Sequence, residues 1–394
     1  MKREVIYADN NATTCVAPEV FEAMRPYLCE KYGNPSSIYT FGGELAADIE
    51  RARIEVAELL GASWRNNLGQ ATEIIFTSCG TESDNAALRS ALEVQSGRRK
   101  IVTSKVEHPA ILNLCRELER EGYTVETIGV DGDGRLDMAA LERAVDSETA
   151  LVTLMWANNE IGNIYPVEEV ARIAHRAGAL FHTDAVQAAG KVPMNMSESE
   201  IDMLSISGHK LHAPKGVGVL YVRRGVRFRP FIIGGHQEKG RRGGTENVAS
   251  IIGLGKACEL ARKGMAEEIA HVKKLRDRLE AGIAERIPAI RINGDKSSRL
   301  PNTSSISFEY IEGEAILLLL DQHGICASSG SACTTGSLEP SHVLRAMGLP
   351  YTAAHGTLRF SFSRYNTVEE VDRIIEVLPS VISTLRKMSP YWKE

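Results

Sequence analysis

Ala179-Leu180-Phe181-His182-Thr183-Asp184-Ala185-Val186-Gln187 and, shortly after it, Met203-Leu204-Ser205-Ile206-Ser207-Gly208-His209-Lys210 decide the fold. Each is an apolar run of strand length that ends in small or chemically capable residues. Working outward from strands at 180–182 and 203–205, the same shape recurs at 73–78, 100–104, 125–130, 150–156 and 218–222. Between them lie helical patterns at 82–94 and 109–121, the second with Ile111, Leu112, Leu114 and Leu118 at helical spacing. Strand, helix, strand in repetition predicts parallel pairing with helices on both faces. A long helical pattern then runs from 246 to about 285, followed by a strand at 304–308, a helix at 312–323 and a strand at 324–327. A strand at 358–361 and a closing helix at 368–387 complete the reading. The expected architecture is a large α/β domain, a linking helix and a smaller α+β domain.

Composition narrows what such a chain does. Its 394 residues allow about two to four domains. With 43 % hydrophobic and 25 % charged residues it reads as an ordinary packed protein. Lys and Arg number 46 against 51 Asp and Glu, a formal charge of −5 mixed along the chain, which argues against a nucleic-acid binder. No apolar run reaches the ~18 residues that a membrane crossing needs. Residues 1–10 carry Lys2, Arg3 and Glu4 with no apolar signal core. The seven cysteines (Cys15, Cys29, Cys79, Cys115, Cys258, Cys326 and Cys333) form no C-x-x-C pair, and their count is odd. The expectation is a cytoplasmic protein with reduced thiols.

In open α/β sheets, chemistry sits beyond the carboxyl ends of the strands. There this chain places Cys79-Gly80-Thr81-Glu82-Ser83, Glu107-His108-Pro109, Asn158-Asn159-Glu160, Asp184 with Gln187, and Ser207-Gly208-His209-Lys210. Core packing does not demand that pattern. Gly80-Thr81 at a helix start suits a phosphate, although Thr81-x-x-Asp84 also reads as a simple helix cap. No G-x-x-x-x-G-K-[ST] is present. Gly253-Leu254-Gly255-Lys256-Ala257-Cys258 lacks the third glycine of a dinucleotide fingerprint, and Asp131-Gly132-Asp133-Gly134 departs from a calcium loop at Arg135 and Leu136.

Asp184 ends an apolar strand, where it is either a helix cap or the partner of a buried cation such as a pyridinium nitrogen. His108 precedes a proline at a helix start, as a surface histidine or as a ring that stacks on a cofactor. Lys210, beside His209, is either a solvated strand-end lysine or a Schiff-base nucleophile with a lowered pKa. Phosphate turn, aspartate, stacking histidine and lysine are together what pyridoxal phosphate requires. Cys333 lies in Ser328-Ser329-Gly330-Ser331-Ala332-Cys333-Thr334-Thr335-Gly336-Ser337, a loop with no bulky apolar residue to bury it. It is an accident or a nucleophile that travels. Arg359, among Leu358 and Phe360, is either a buried ion-pair member or a clamp for a carboxylate.

With these motifs quoted, the sequence resembles the cysteine desulfurases of the NifS/IscS class. Further matches are Asp9-Asn10-Asn11-Ala12-Thr13-Thr14, Gly33-Asn34-Pro35-Ser36-Ser37, His182-Thr183-Asp184-Ala185-Val186-Gln187 and Gly243-Gly244-Thr245-Glu246-Asn247. Gly234-Gly235-His236-Gln237-Glu238 and Ser389-Pro390-Tyr391-Trp392 are similar to the NifS branch. The resemblance implies a fold-type I pyridoxal-phosphate transferase with a mostly parallel seven-stranded sheet. Its large domain would span 16–258, and 1–15 together with 259–394 would form the small domain that carries the Cys333 loop. It also implies that Lys210 bonds the cofactor, that Asp184 holds the pyridine nitrogen, that His108 stacks and that Gln187 reaches the phenolic oxygen. Gly80, Thr81, Ser207 and His209 would hold the phosphate, with Thr245 joining from the second subunit of a homodimer. Asn159, counted with the cofactor residues as well, would receive the substrate carboxylate with Arg359 and Asn34. Cys333 would carry the sulfur as a persulfide, and in that form would be a transient iron–sulfur ligand.

The implied reaction turns L-cysteine into L-alanine and passes sulfur to an iron–sulfur scaffold of the NifU type. Nitrogenase maturation and general cluster assembly both stay open, and no nucleic-acid or membrane partner is expected. A selenocysteine lyase or an aminotransferase would use the same lysine, but transamination has no need of Cys333. A silent scaffold would not need Lys210, His108, Asp184 and Cys333 together. Residues 64–71 make a longer approach to the first strand than is usual in the family.

Overall fold

A computed structural model describes residues 5–62, 65–329 and 339–392. Cys333 lies outside the described residues. Seven strands form the main sheet in the order Ile74–Thr77, Gly218–Val222, Met203–Ser207, Leu180–Asp184, Thr149–Thr153, Lys100–Ser104, Thr124–Ile128. Alternation along these strands splits their apolar side chains between two helical layers. Ile75, Ile101, Leu151, Met203 and Leu220 pack on one face with Leu88, Ile111 and Leu118. Ile74, Phe76, Val102, Val152, Phe181, Leu204 and Tyr221 pack on the other with Val56, Leu60 and Leu254.

The five strands from Met203–Ser207 to Thr124–Ile128 are parallel, but Gly218–Val222 runs antiparallel to both its neighbours. Repetition of strand and helix had predicted parallel pairing there too. The connection 208–217 holds only the single turn Gly208–Lys210, and a parallel crossover needs about a dozen residues or more.

The helix Val248–Arg286, capped by Asn247, has 39 residues and is about 58 Å long. Its first part, to Ala261, buries Leu254, Ala257 and Cys258 in the main-sheet core. From Val272 it buries Leu275, Leu279 and Ile283 in a separate core. Gly253 and Gly255 let this helix approach its neighbours. A Cβ at Gly255 would stand 2.6 Å from Ala52 Cα, and one at Gly253 would stand 2.6 Å from Met24 Sδ. Those contacts come from Pro18–Cys29 and Leu45–Leu59, two helices that the sequence reading did not resolve.

The separate core sits on a three-stranded antiparallel sheet of Ile290–Asn293, Thr303–Phe308 and Thr357–Ser361. Gly313–Gln322 and Val368–Met388 cover it, the latter opened by a Thr367–Glu370 capping box. Ile6–Tyr7 pairs in parallel with Ile325–Cys326, and Ala8 donates its N–H to Cys326. Leu300, Val343, Leu344 and Met347 pack with the main-sheet core although they follow the long helix in sequence. No helix among the described residues is long and apolar enough to cross a membrane.

Candidate active site

At the carboxyl ends of the parallel strands lies a cavity of about 310 Å³. Gly80, Thr81, His108, Asn159, Asp184, Gln187, Ser207, His209, Lys210 and Arg359 line it, so the fold brings together ten residues that the sequence singled out. Asn11, Ala12, Cys79, Asp84, Met155, Ala157 and Val186 complete its wall.

The start of Gly80–Val94 is set by Cys79, not by Thr81: the Cys79 Sγ accepts from the Glu82 N–H at 3.5 Å. Gly80 and Thr81 thereby become the first helical residues, and the first amides of a helix have no acceptor within it. A Cβ at Gly80 would stand 2.8 Å from Val186 Cγ2, so the wall comes in as close as a glycine allows. His209 lines the same cavity. Burial, with Lys210, Lys215 and Lys191 nearby, pulls its imidazole down to about 4 and keeps it neutral.

Lys210 ends the turn Gly208–Lys210, and its Nζ donates to the carbonyls of Asn11 at 2.5 Å and Ala12 at 2.7 Å. Gln187 Nε2 donates to the same Asn11 oxygen at 3.0 Å, and its buried Oε1 has no partner. Asp184 is buried and accepts the Val186 N–H at 2.9 Å. Burial raises its carboxyl above the usual range, while His108 and Lys210 pull the other way. His108 caps Pro109–Arg120 through Nδ1, which accepts the Ala110 N–H at 3.1 Å. That fixes the neutral ring with its proton on Nε2. Burial holds its pKa low, partly offset by Asp184.

Arg359 is almost wholly buried. Its Nη2 pairs with Asp9 at 2.7 Å, its Nη1 donates to the Asn159 carbonyl at 2.9 Å, and its Nε has no partner. Asn34 and Thr245 lie outside the cavity of their own chain, both exposed. Asn34 turns its side chain to the Ser36 N–H. Arg242, three residues before Thr245, grips Glu82 at the phosphate-type helix start with contacts of 2.9 and 3.1 Å. A larger open groove of about 870 Å³ elsewhere is lined by surface charges such as Arg278, Asp372 and Glu376.

The aminotransferase class-V profile matches residues 6–374. A cysteine desulfurase of Gluconacetobacter diazotrophicus is 61 % identical over 388 residues, covering 98 % of this chain and 96 % of that protein. The cysteine desulfurase NifS of Azotobacter vinelandii is 58 % identical over 387 residues, covering 98 % and 95 %. Among solved structures, a NifS-like protein superimposes with a TM-score of 0.89 at 40 % identity, covering 97 % of this chain and all of that one. This chain belongs to the class-V aminotransferases, among the cysteine desulfurases.

Members of this family use pyridoxal phosphate, and the cavity fits that group. It joins a glycine-opened helix start, a buried aspartate, a histidine of fixed tautomer and an amine within one space. The orphaned amide oxygen of Gln187 and the orphaned Nε of Arg359 mark polar groups that a bound molecule would satisfy. Sequence reasoning missed three contributors. Asp9 and Asn11 stand in a motif to which sequence reading assigns no role, although three acidic or amide residues before Ala12 are a visible signal. Asp84 was read only as a cap. Among the described residues no cluster of three or more metal-type ligands occurs.

Proposed function

We propose that this desulfurase takes sulfur from L-cysteine, releases L-alanine and holds the sulfur as a persulfide on Cys333 for delivery to an acceptor. One observation carries the reading. The Lys210 amine, the Asp184 carboxylate, the His108 ring and the Gly80 helix start line a single cavity, in a chain whose full-length relatives are cysteine desulfurases. Pyridoxal phosphate, when bound, supplies an aldehyde that takes up amines and a ring that withdraws electrons from the substrate Cα. The Gly80 and Thr81 amides with Ser207 and His209 hold its phosphate, and Asp184 holds its ring nitrogen. His108 would stack on the ring, and the Gln187 side-chain amide would reach the phenolic oxygen.

Asn11 and Ala12 carbonyls orient the Lys210 amine, which as a free base takes the proton from the substrate Cα. Asp9 keeps Arg359 stretched, so that its remaining N–H groups meet the substrate carboxylate beside Asn159. The Cys333 thiolate attacks the cysteine sulfur. A sulfur–sulfur bond forms, the Cβ–S bond breaks, and its electron pair stays with the carbon skeleton that leaves as alanine. Buried Cys115 and half-buried Cys326 suit this task poorly, since burial pushes the first up to about 12 and raises the second.

The active unit is a homodimer in this proposal, with Thr245 and Asn34 serving across it. Ile38 and Ile233 are almost wholly exposed, with exposed Tyr32 and Phe41 near the first in sequence, and a second copy of the chain would bury them. The acceptor is a NifU-type scaffold in the cytoplasm, where free thiols such as the six of the described residues persist. Purified protein given L-cysteine and a reductant is expected to yield alanine and sulfide in equal amounts. Cys333→Ala should yield neither above background, while L-cysteine still perturbs the cofactor absorption. Alanine formed by that variant at the parent rate would overturn the reading.

A further inference from the structure

A second carboxylate is buried in the wall of the same cavity. Asp84, one turn into Gly80–Val94, is 1 % exposed, and its Oδ1 has no hydrogen-bond partner. The Ser205 hydroxyl lies beside the same carboxyl and favours its charged form. Four titratable groups face it: Asp184, Glu107, the Cys79 thiol and His182. The His182 Nε2 stands 3.7 Å away, too far for a hydrogen bond. His182 is itself clamped between Thr153 Oγ1 and Ser205 Oγ, each at 2.9 Å, and burial drives it down to about 3, so it brings no positive charge.

Asp184 sits in different company. Its Oδ1 receives the Val186 N–H, and His108 and Lys210 face it. Two carboxylates buried in the wall of one cavity do not both ionise, and the proton goes to the one with no cationic group beside it. Burial, and then the Asp184 charge, push the Asp84 carboxyl well above the usual range. We propose that Asp84 holds the single proton of this pair as a neutral acid, and so leaves Asp184 as the one of the two that would meet the ring nitrogen as an anion. This rests on Asp184 holding the ring nitrogen. Asp84 is then a positioning residue that sets the local charge through Asp184 without touching the reacting atoms.

The test uses holoenzyme carrying aspartate labelled with carbon-13 at its side-chain carboxyl. At neutral pH the spectrum should contain one neutral-carboxyl signal, and Asp84→Asn should delete it. The same variant should keep the pH midpoint of the cofactor absorption within ~0.3 unit, because Asn reproduces a neutral acid in shape and charge. A wild-type spectrum without a neutral aspartyl carboxyl overturns the proposal, even if the variant does not fold. So does a neutral signal that survives in Asp84→Asn, or a midpoint moved by about a unit or more. An Asp184→Asn variant whose cofactor absorption matches the parent would remove the role of Asp184 instead. The carboxyl count would still decide Asp84.

Discussion

Arg359 and Asp9 show how a single pair prepares the site. The guanidinium lies inside the protein, where breaking an ion pair by removing one partner costs about 3–5 kcal/mol. Asp9→Asn keeps an oxygen acceptor at 2.7 Å range but removes the charge. The variant should lose stability by roughly that amount, less what the Asn159 carbonyl retains. Because the freed guanidinium then has an unmet charge, saturating L-alanine should restore part of the loss through its carboxylate. Thermal unfolding with and without L-alanine checks this. Equal destabilisation in both conditions would remove Arg359 from the substrate site.

Elements here are placed by their first residues. Cys79, His108, Asp137, Asn247, Ser341 and Thr367 each accept a backbone N–H with a side chain to start a helix. Two of these caps also belong to the cavity wall, so helix start and site are one construction. Ser341 is the most consequential of the rest. It caps His342–Ala346 through the Val343 and Leu344 amides and donates its hydroxyl to Glu160, next to Asn159. His342 adds a bond from Nε2 to the Glu107 carbonyl at 2.9 Å. Ser341→Ala removes the cap and leaves a buried carboxyl without its donor, an expected loss of about 1–3 kcal/mol. Ser341→Thr should recover most of it. Urea unfolding of the pair distinguishes a capping role from mere packing, in which alanine would be tolerated and threonine would not.

Across the whole molecule, buried acids and histidines set opposite limits on stability. Burial raises Glu107 to about 8 and Glu160 to about 7, against 4.5 in the open chain. The folded protein therefore keeps protons that the unfolded chain releases, so this stabilisation is complete below about pH 4.5 and is lost as pH rises through 7 and 8. His182 acts the other way. Its folded value of about 3 against 6.5 makes stability fall as pH drops below 6.5. Each titrating group contributes a slope of about 1.4 kcal/mol per pH unit. Glu107→Gln mimics the neutral acid and should flatten the decline between pH 6 and pH 8 in urea-unfolding free energies. An unchanged slope would mean that Glu107 is already ionised in the fold.

What the sequence determined by itself is the local chemistry. Apolar runs of strand length ending at Asp184 and Lys210, the glycine at 80 and the imidazole before Pro109 are each written in a few neighbouring residues. Strand and helix existence follow from the same short windows. Tertiary structure alone decided the rest. The antiparallel turn of Gly218–Val222, the Asp9–Arg359 pair and the Asn11 carbonyl above Lys210 join residues up to 350 positions apart. So does the choice of which strand end faces which. Buried charge is a property of surroundings, not of spacing. Asp84 and Asp184 carry the same side chain, and only the groups packed around each one separate them.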